Sequence, residues 1–115
     1  KKKRKSGENE SYLCLVIRDV LEHYDIPSFI ISIGKGAFCC CKALTYISIP
    51  SSVKTIRFKA FYQCEPPKNI ALPSTLSTIG EQAFEECTSL EEITVPNSVT
   101  SLGLGVFMNC KSLKK

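Results

Sequence analysis

Tryptophan is absent from this chain, and histidine and methionine occur once each. The single histidine, His23, has no Ser/Asp pairing around it in a recognisable nucleophile elbow or loop. Gly34-Lys35-Gly36 lacks the spacing and the Lys-Ser/Thr end of a phosphate-cradling loop. Cys39-Cys40-Cys41 lacks the separation that lets two thiolates reach one metal, and no second ligand pair follows. Glu85-Glu86 and Glu91-Glu92 read most simply as solvated charge. The expectation is therefore a protein that is not an enzyme and carries no cofactor and no metal.

Long apolar runs are missing too. None of the 115 residues belongs to a stretch near the roughly 18 apolar residues of a membrane-spanning helix, so none is expected in this span. A basic surplus is missing from the body. The net charge is +4, but Lys1, Lys2, Lys3, Arg4 and Lys5 supply five positive charges, so the remainder sums to −1. A body of that charge is not expected to bind nucleic acid. With 43% hydrophobic and 23% charged residues, a folded chain is expected, as one domain or part of a larger one.

What the chain has is a repeat. Starts at Ile33, Ile56, Ile79 and Leu102 align without a gap at a period of 23. The columns then read Ala37, Ala60, Ala83, Val106 and Phe38, Phe61, Phe84, Phe107, followed by Cys41, Cys64, Cys87, Cys110. Further on come Ile47, Ile70, Ile93, then Pro50, Pro73, Pro96, then Val53, Leu76, Val99. A fixed period of this length with a Leu/Ile frame is the signature of a leucine-rich-repeat solenoid. The predicted fold is an α/β solenoid with short parallel strands on the concave side and short helical turns elsewhere.

Each unit has a physical reading. In Leu44–Ile49 the residues Ile47 and Ile49 alternate with polar neighbours, as in a strand with one buried face. Pro50 ends the strand, having no N–H to give. Ala37, Phe38 and Cys41 suit a helical turn pressing one face inward, and Val53 and Ile56 close the coil on the far side. One copy buries too little apolar surface to offset its ordering entropy, so copies must stack.

Four of the seven cysteines share one column. Strand spacing of ~4.8 Å does not exclude disulfides between neighbours. Parallel side chains favour a ladder of reduced thiols acting as small apolar groups.

In order, residues 1–10 are expected to form a disordered basic tail. Its cluster Lys1, Lys2, Lys3, Arg4, Lys5 admits four readings: a solvated tail, a nuclear-import signal, an anionic-membrane contact or a remnant of cloning. Residues 11–32 are expected to be a degenerate capping unit, with a helix over 11–24 (a strand being the alternative) and a strand over 22–26. Regular copies occupy 33–55 and 79–101. The copy at 56–78 departs from the frame: Arg57 replaces glycine, and Glu65-Pro66-Pro67 predicts a weakened strand entry. A partial copy at 102–115 leaves apolar residues near Phe107, Cys110 and Leu113 uncovered. A continuing chain, a partner or a second copy would each cover them.

The pattern, visible as IGKGAFCCCKALTYISIPSSVKTI and IGEQAFEECTSLEEITVPNSVTSLG, resembles the BspA-like leucine-rich repeats over residues 26–113. That resemblance implies a surface-exposed or secreted, adhesin-like protein of a bacterium or parasitic protist that binds host matrix or cell-surface proteins. The basic cluster keeps an intracellular or nuclear interaction scaffold open as the alternative. On the concave face the outward positions His23, Asp25, Tyr46, Ser48, Lys68, Asn69, Glu92 and Thr94 are the candidate ligand contacts, with Tyr46 as the aromatic anchor.

Overall fold

The computed structural model describes residues 19–114. Six short strands follow in order: β1 (His23–Asp25), β2 (Ser32–Ile33), β3 (Tyr46–Ser48), β4 (Thr55–Ile56), β5 (Thr78–Ile79) and β6 (Ser101–Leu102). All pairings are parallel, with partners one 23-residue period apart: His23 faces Tyr46, and Ile33, Ile56, Ile79 and Leu102 align in turn. The molecule is a leucine-rich-repeat stack, 50 Å along its longest axis and about half that across.

The core is the set of inward columns. Cys41, Leu44, Val53, Ile56, Ala60, Phe61, Cys64, Leu76, Ile79, Ala83, Phe84 and Leu90 have no exposed surface. The phenylalanines form a continuous ladder. Ring centroids lie 5.3 Å apart from Phe38 to Phe61, 5.1 Å from Phe61 to Phe84 and 5.8 Å from Phe84 to Phe107, with planes within 11° of parallel. Offset stacking at this separation adds to the burial of each ring. Pro67 fills the leucine column of the second copy and is itself fully buried.

Hydroxyls and thiols stitch successive copies. The thiols of Cys64, Cys87 and Cys110 donate to the carbonyls of Phe38, Phe61 and Phe84 at 2.8, 3.2 and 3.1 Å. Ser52 and Thr75 donate to the carbonyls of Ile30 and Val53 at 2.6 and 3.1 Å. Burial pushes the Cys64 and Cys87 thiols upward, in each case behind a hydrogen bond with a neighbouring thiol that has the larger effect. These are inert, apolar-behaving thiols, and the reduced-ladder expectation describes them.

Two features differ from the sequence expectation. The turn after each start is not helical, and no helix forms among the described residues. Ala37 and Cys39 instead donate three residues back, to Gly34 and Gly36, while Gly36, Phe38 and Cys40 donate across to Phe58, Ala60 and Tyr62 of the next copy. The cause is a left-handed residue at two columns: Gly36, Lys59, Gln82, Gly105 and Cys40, Gln63, Glu86, Asn109, all with φ between 55° and 68°. A positive φ every fourth residue stops a helix and turns alternate N–H groups outward to the neighbour.

The second difference concerns where the sheet runs. The far side of the coil carries the longer sheet, four strands in the order β2-β4-β5-β6, while the expected strand column pairs only β1 with β3. Beyond β3 that column continues as one isolated bridge, Asn69 to Glu92. The break falls where Pro66-Pro67 enters the column: Pro66 lacks the N–H that its counterpart Ser89 gives across to Glu65.

The helix expected over 11–24 and the tail at 1–10 lie largely or wholly outside the described residues. Within them, residues 19–20 form a turn and the chain enters β1, inside the strand expected over 22–26.

Candidate functional site

Period-two alternation sets the strand face: Ile47 and Ile70 point into the core, so Tyr46, Ser48, Asn69 and Ala71 point away from it. The candidate residues fall into two groups on this face. In the first, register places His23 beside Tyr46 and Asp25 beside Ser48. The His23 and Tyr46 rings lie 5.6 Å apart and tilted by 41°. Tyr46 is 48% exposed, which leaves half its ring available to a partner.

In the second group, the Asn69–Glu92 bridge brings Asn69, Glu92 and Thr94 together. They line an open groove of about 410 Å³ whose floor is Ile70, Leu72 and Ile93. A neighbouring hollow of about 470 Å³ lies beside Glu92 and Thr94 at the open end of the stack, lined by the inward residues Ile93, Val95, Phe107 and Leu113. Exposed Lys68 anchors this half through its backbone: its carbonyl accepts from the N–H groups of Glu91 and Glu92 at 2.7 and 3.3 Å. Glu91 pairs with Lys114 at 3.6 Å, an exposed contact that contributes little. The first and second groups share a face but no strand ladder, because the sheet stops at β3.

The arrangement offers an apolar floor, two carboxylates, one ammonium, one imidazole, one phenol, one amide and two aliphatic hydroxyls. It is suited to contact with a protein surface. Among the described residues no group of three His, Cys, Asp or Glu side chains is placed to hold a metal ion, and no helix is long and apolar enough to cross a membrane. The basic cluster Lys1–Lys5 lies outside the described residues.

Sequence reasoning missed one set of half-buried positions. Column forty of the turn forms a side-chain chain across three copies: the Cys40 thiol donates to Gln63 Oε1 at 3.4 Å, and Gln63 Nε2 donates to Glu86 Oε1 at 2.7 Å. At the last copy Cys110 is half-exposed, and its thiol is lowered to about 7, first by its hydrogen bond with Cys87, with burial acting in the opposite direction. Only Asn109, a residue tolerant of left-handed backbone, hinted at this column.

Comparison with known proteins agrees with the geometry. The model of the BspA type leucine rich repeat region matches residues 18–115 in six copies. A leucine-rich repeat protein of T. pallidum is 36% identical with a TM-score of 0.78, over 79% of this chain and 42% of its own. One from Bacteroides ovatus is 34% identical with a TM-score of 0.65, over 82% of this chain and 30% of its own. One from Eubacterium ventriosum is 26% identical with a TM-score of 0.77, over 82% of this chain and 25% of its own. The chain thus spans less than half the length of each of these proteins. No curated protein matches it. A repeat frame shared over residues 18–115 and a common parallel-strand stack make this chain a member of the BspA-type leucine-rich repeat family.

Proposed function

We propose that the chain is a non-catalytic binding scaffold, displayed at a cell surface, that holds a protein ligand on the face of β1, β3 and the Asn69–Glu92 bridge. The observation that carries this reading is the groove: Asn69, Glu92 and Thr94 converge over an apolar floor, in register with the His23–Tyr46 pair one and two copies earlier. An aromatic anchor beside an apolar depression with polar edges is the composition of a protein-binding hot spot. Membership in the BspA-type family supports this reading of surface display and of attachment to host matrix or cell-surface proteins.

The test is a pull-down with the chain against extracellular-matrix proteins, run beside a cytosolic and nuclear lysate. Retention of a matrix protein, lost when Tyr46→Ala and Glu92→Ala are combined, is expected. Retention only by import factors, through Lys1–Lys5, would contradict it and move the protein to the nucleus.

A further inference from the structure

The turn ridge, on another side of the coil from the strand face, changes chemistry along the stack. Three consecutive columns read Gly34, Arg57, Gly80, Gly103, then Lys35, Phe58, Glu81, Leu104, then Gly36, Lys59, Gln82, Gly105. The second copy alone sets two cations around an aromatic ring where other copies carry glycine, leucine, a single charge or an amide. Arg57 and Phe58 are exposed. The Lys59 ammonium stands 5.3 Å from the Phe58 ring centre and 4.6 Å from that of Tyr62, and Lys35 stands 6.0 Å from Phe58. These are cation–π distances, which fix the ammonium groups above the rings without neutralising them. No carboxylate lies within ion-pair distance of Lys35, Arg57 or Lys59 among the described residues. Lys59 holds its place from a backbone φ of 55°, a conformation that glycine takes at Gly36 and Gly105.

The patch is short. The next copy presents Glu81, exposed, and Glu86, half-buried. Tyr62 feels this boundary: its phenol is pushed up by burial first, then by Glu86 and Glu85. The cationic stretch therefore spans two copies, roughly 10 Å at ordinary strand spacing.

We propose that Arg57, Phe58 and Lys59, with Lys35 and Tyr62, form a second interaction surface, one that binds a short acidic peptide segment carrying an aromatic side chain. Carboxylates of the segment meet the Arg57 fork and the Lys35 and Lys59 ammoniums, and its aromatic ring packs on the open side of Phe58. A long polyanion running down the stack meets Glu81 and Glu86 after two copies and is repelled. A segment crossing the ridge is not. Recognition runs through side chains, because Gly36, Phe38, Lys59 and Phe61 already give their N–H groups to the next copy. The inference stands apart from the strand-face site and uses none of its residues.

The test is fluorescence anisotropy of the full chain with a labelled glutamate-rich peptide bearing a central tryptophan, at low and physiological salt. Binding is expected, weakened by salt and lost when glutamine replaces the glutamates. Lys59→Gly separates binding from structure, because it relieves the left-handed strain while removing the cation. It is expected to melt no lower than the parent and yet bind about tenfold more weakly. Arg57→Gln is expected to weaken binding in the same direction. Equal affinity for the glutamine peptide, unchanged affinity in both variants, or no binding at low salt would each overturn the proposal. So would a sulfated oligosaccharide binding through Arg57 and Lys59 where the peptide does not.

Discussion

The turn ridge and the strand face are built from the same 23-residue unit and behave oppositely. On the ridge every copy repeats its geometry: the phenylalanine rings stack without interruption, and left-handed residues recur at both columns in all four copies. On the strand face the ladder stops after β3 and resumes as a single bridge. The lesson is where continuity is enforced. On the ridge, alternate N–H groups and the stacked rings of Phe38, Phe61 and Phe84 depend on the next copy being in register. On the strand face the outward side chains depend on nothing in the protein, so Pro66-Pro67 can break the ladder while Pro67 still fills the core.

Three substitutions and one labelling experiment sharpen that contrast. The largest effect belongs to Phe84→Ala, which removes the middle of the ring ladder and leaves a cavity between Phe61 and Phe107. A loss of about 3–5 kcal/mol is expected in chemical denaturation, enough to unfold much of the chain. A harmless Phe84→Ala would mean that the register is wrong. Gly80→Ala comes next. A Cβ there would meet the Arg57 carbonyl carbon and the Phe58 nitrogen at 2.8 Å, both backbone atoms that cannot swing aside. A cost of roughly 1–3 kcal/mol follows if the copies cannot separate locally. A melting temperature equal to that of the parent would show that the stack is looser than the ridge geometry implies.

On the strand face, Glu92→Ala is expected to stay within about 0.5 kcal/mol of the parent, since its side chain is exposed and makes no internal contact that the fold needs. Its effect should appear in ligand retention alone. The smallest expected change in stability accompanies alkylation of Cys110. Labelling of this half-exposed thiol should rise as pH passes upward through about 7, because the thiolate is the nucleophile. Cys64 and Cys87, buried and pushed upward, should stay unlabelled until the protein unfolds. Equal labelling of all three in the native state would remove the distinction between the stack's interior and its last copy.

Much of this architecture is written in the columns. The inward positions follow from Ile47, Ile70, Phe61, Phe84 and the cysteine column, because a fixed period forces equivalent residues onto equivalent sites. The weak strand entry at Pro66-Pro67 was legible for the same reason. The four-stranded sheet was not: two-residue strands such as Thr55–Ile56 are too short to show a period. Left-handed backbone was hidden as well, since Lys59, Gln63, Gln82 and Glu86 are not residues that advertise it, and only Gly36, Gly105 and Asn109 do. Tyr24 sits on the inward lattice of the sequence yet is 37% exposed. On the candidate site, alternation predicted which side chains face out, and the groove at Asn69–Glu92 arises from how two copies meet after the ladder breaks, which no single copy encodes.

The most direct test of the contrast between the two faces is native-state hydrogen exchange, resolved by residue. The amides of Phe38, Phe61 and Phe84, and those of Arg57, Gly80 and Gly103 beside the four-stranded sheet, each bond to a neighbouring copy and should exchange slowly and together. The amides of Lys68 and Asn69, just past the break, should exchange fast. Slow, uniform exchange at Lys68 and Asn69, or fast exchange along the phenylalanine ladder, would contradict the account of a continuous ridge beside an interrupted strand face.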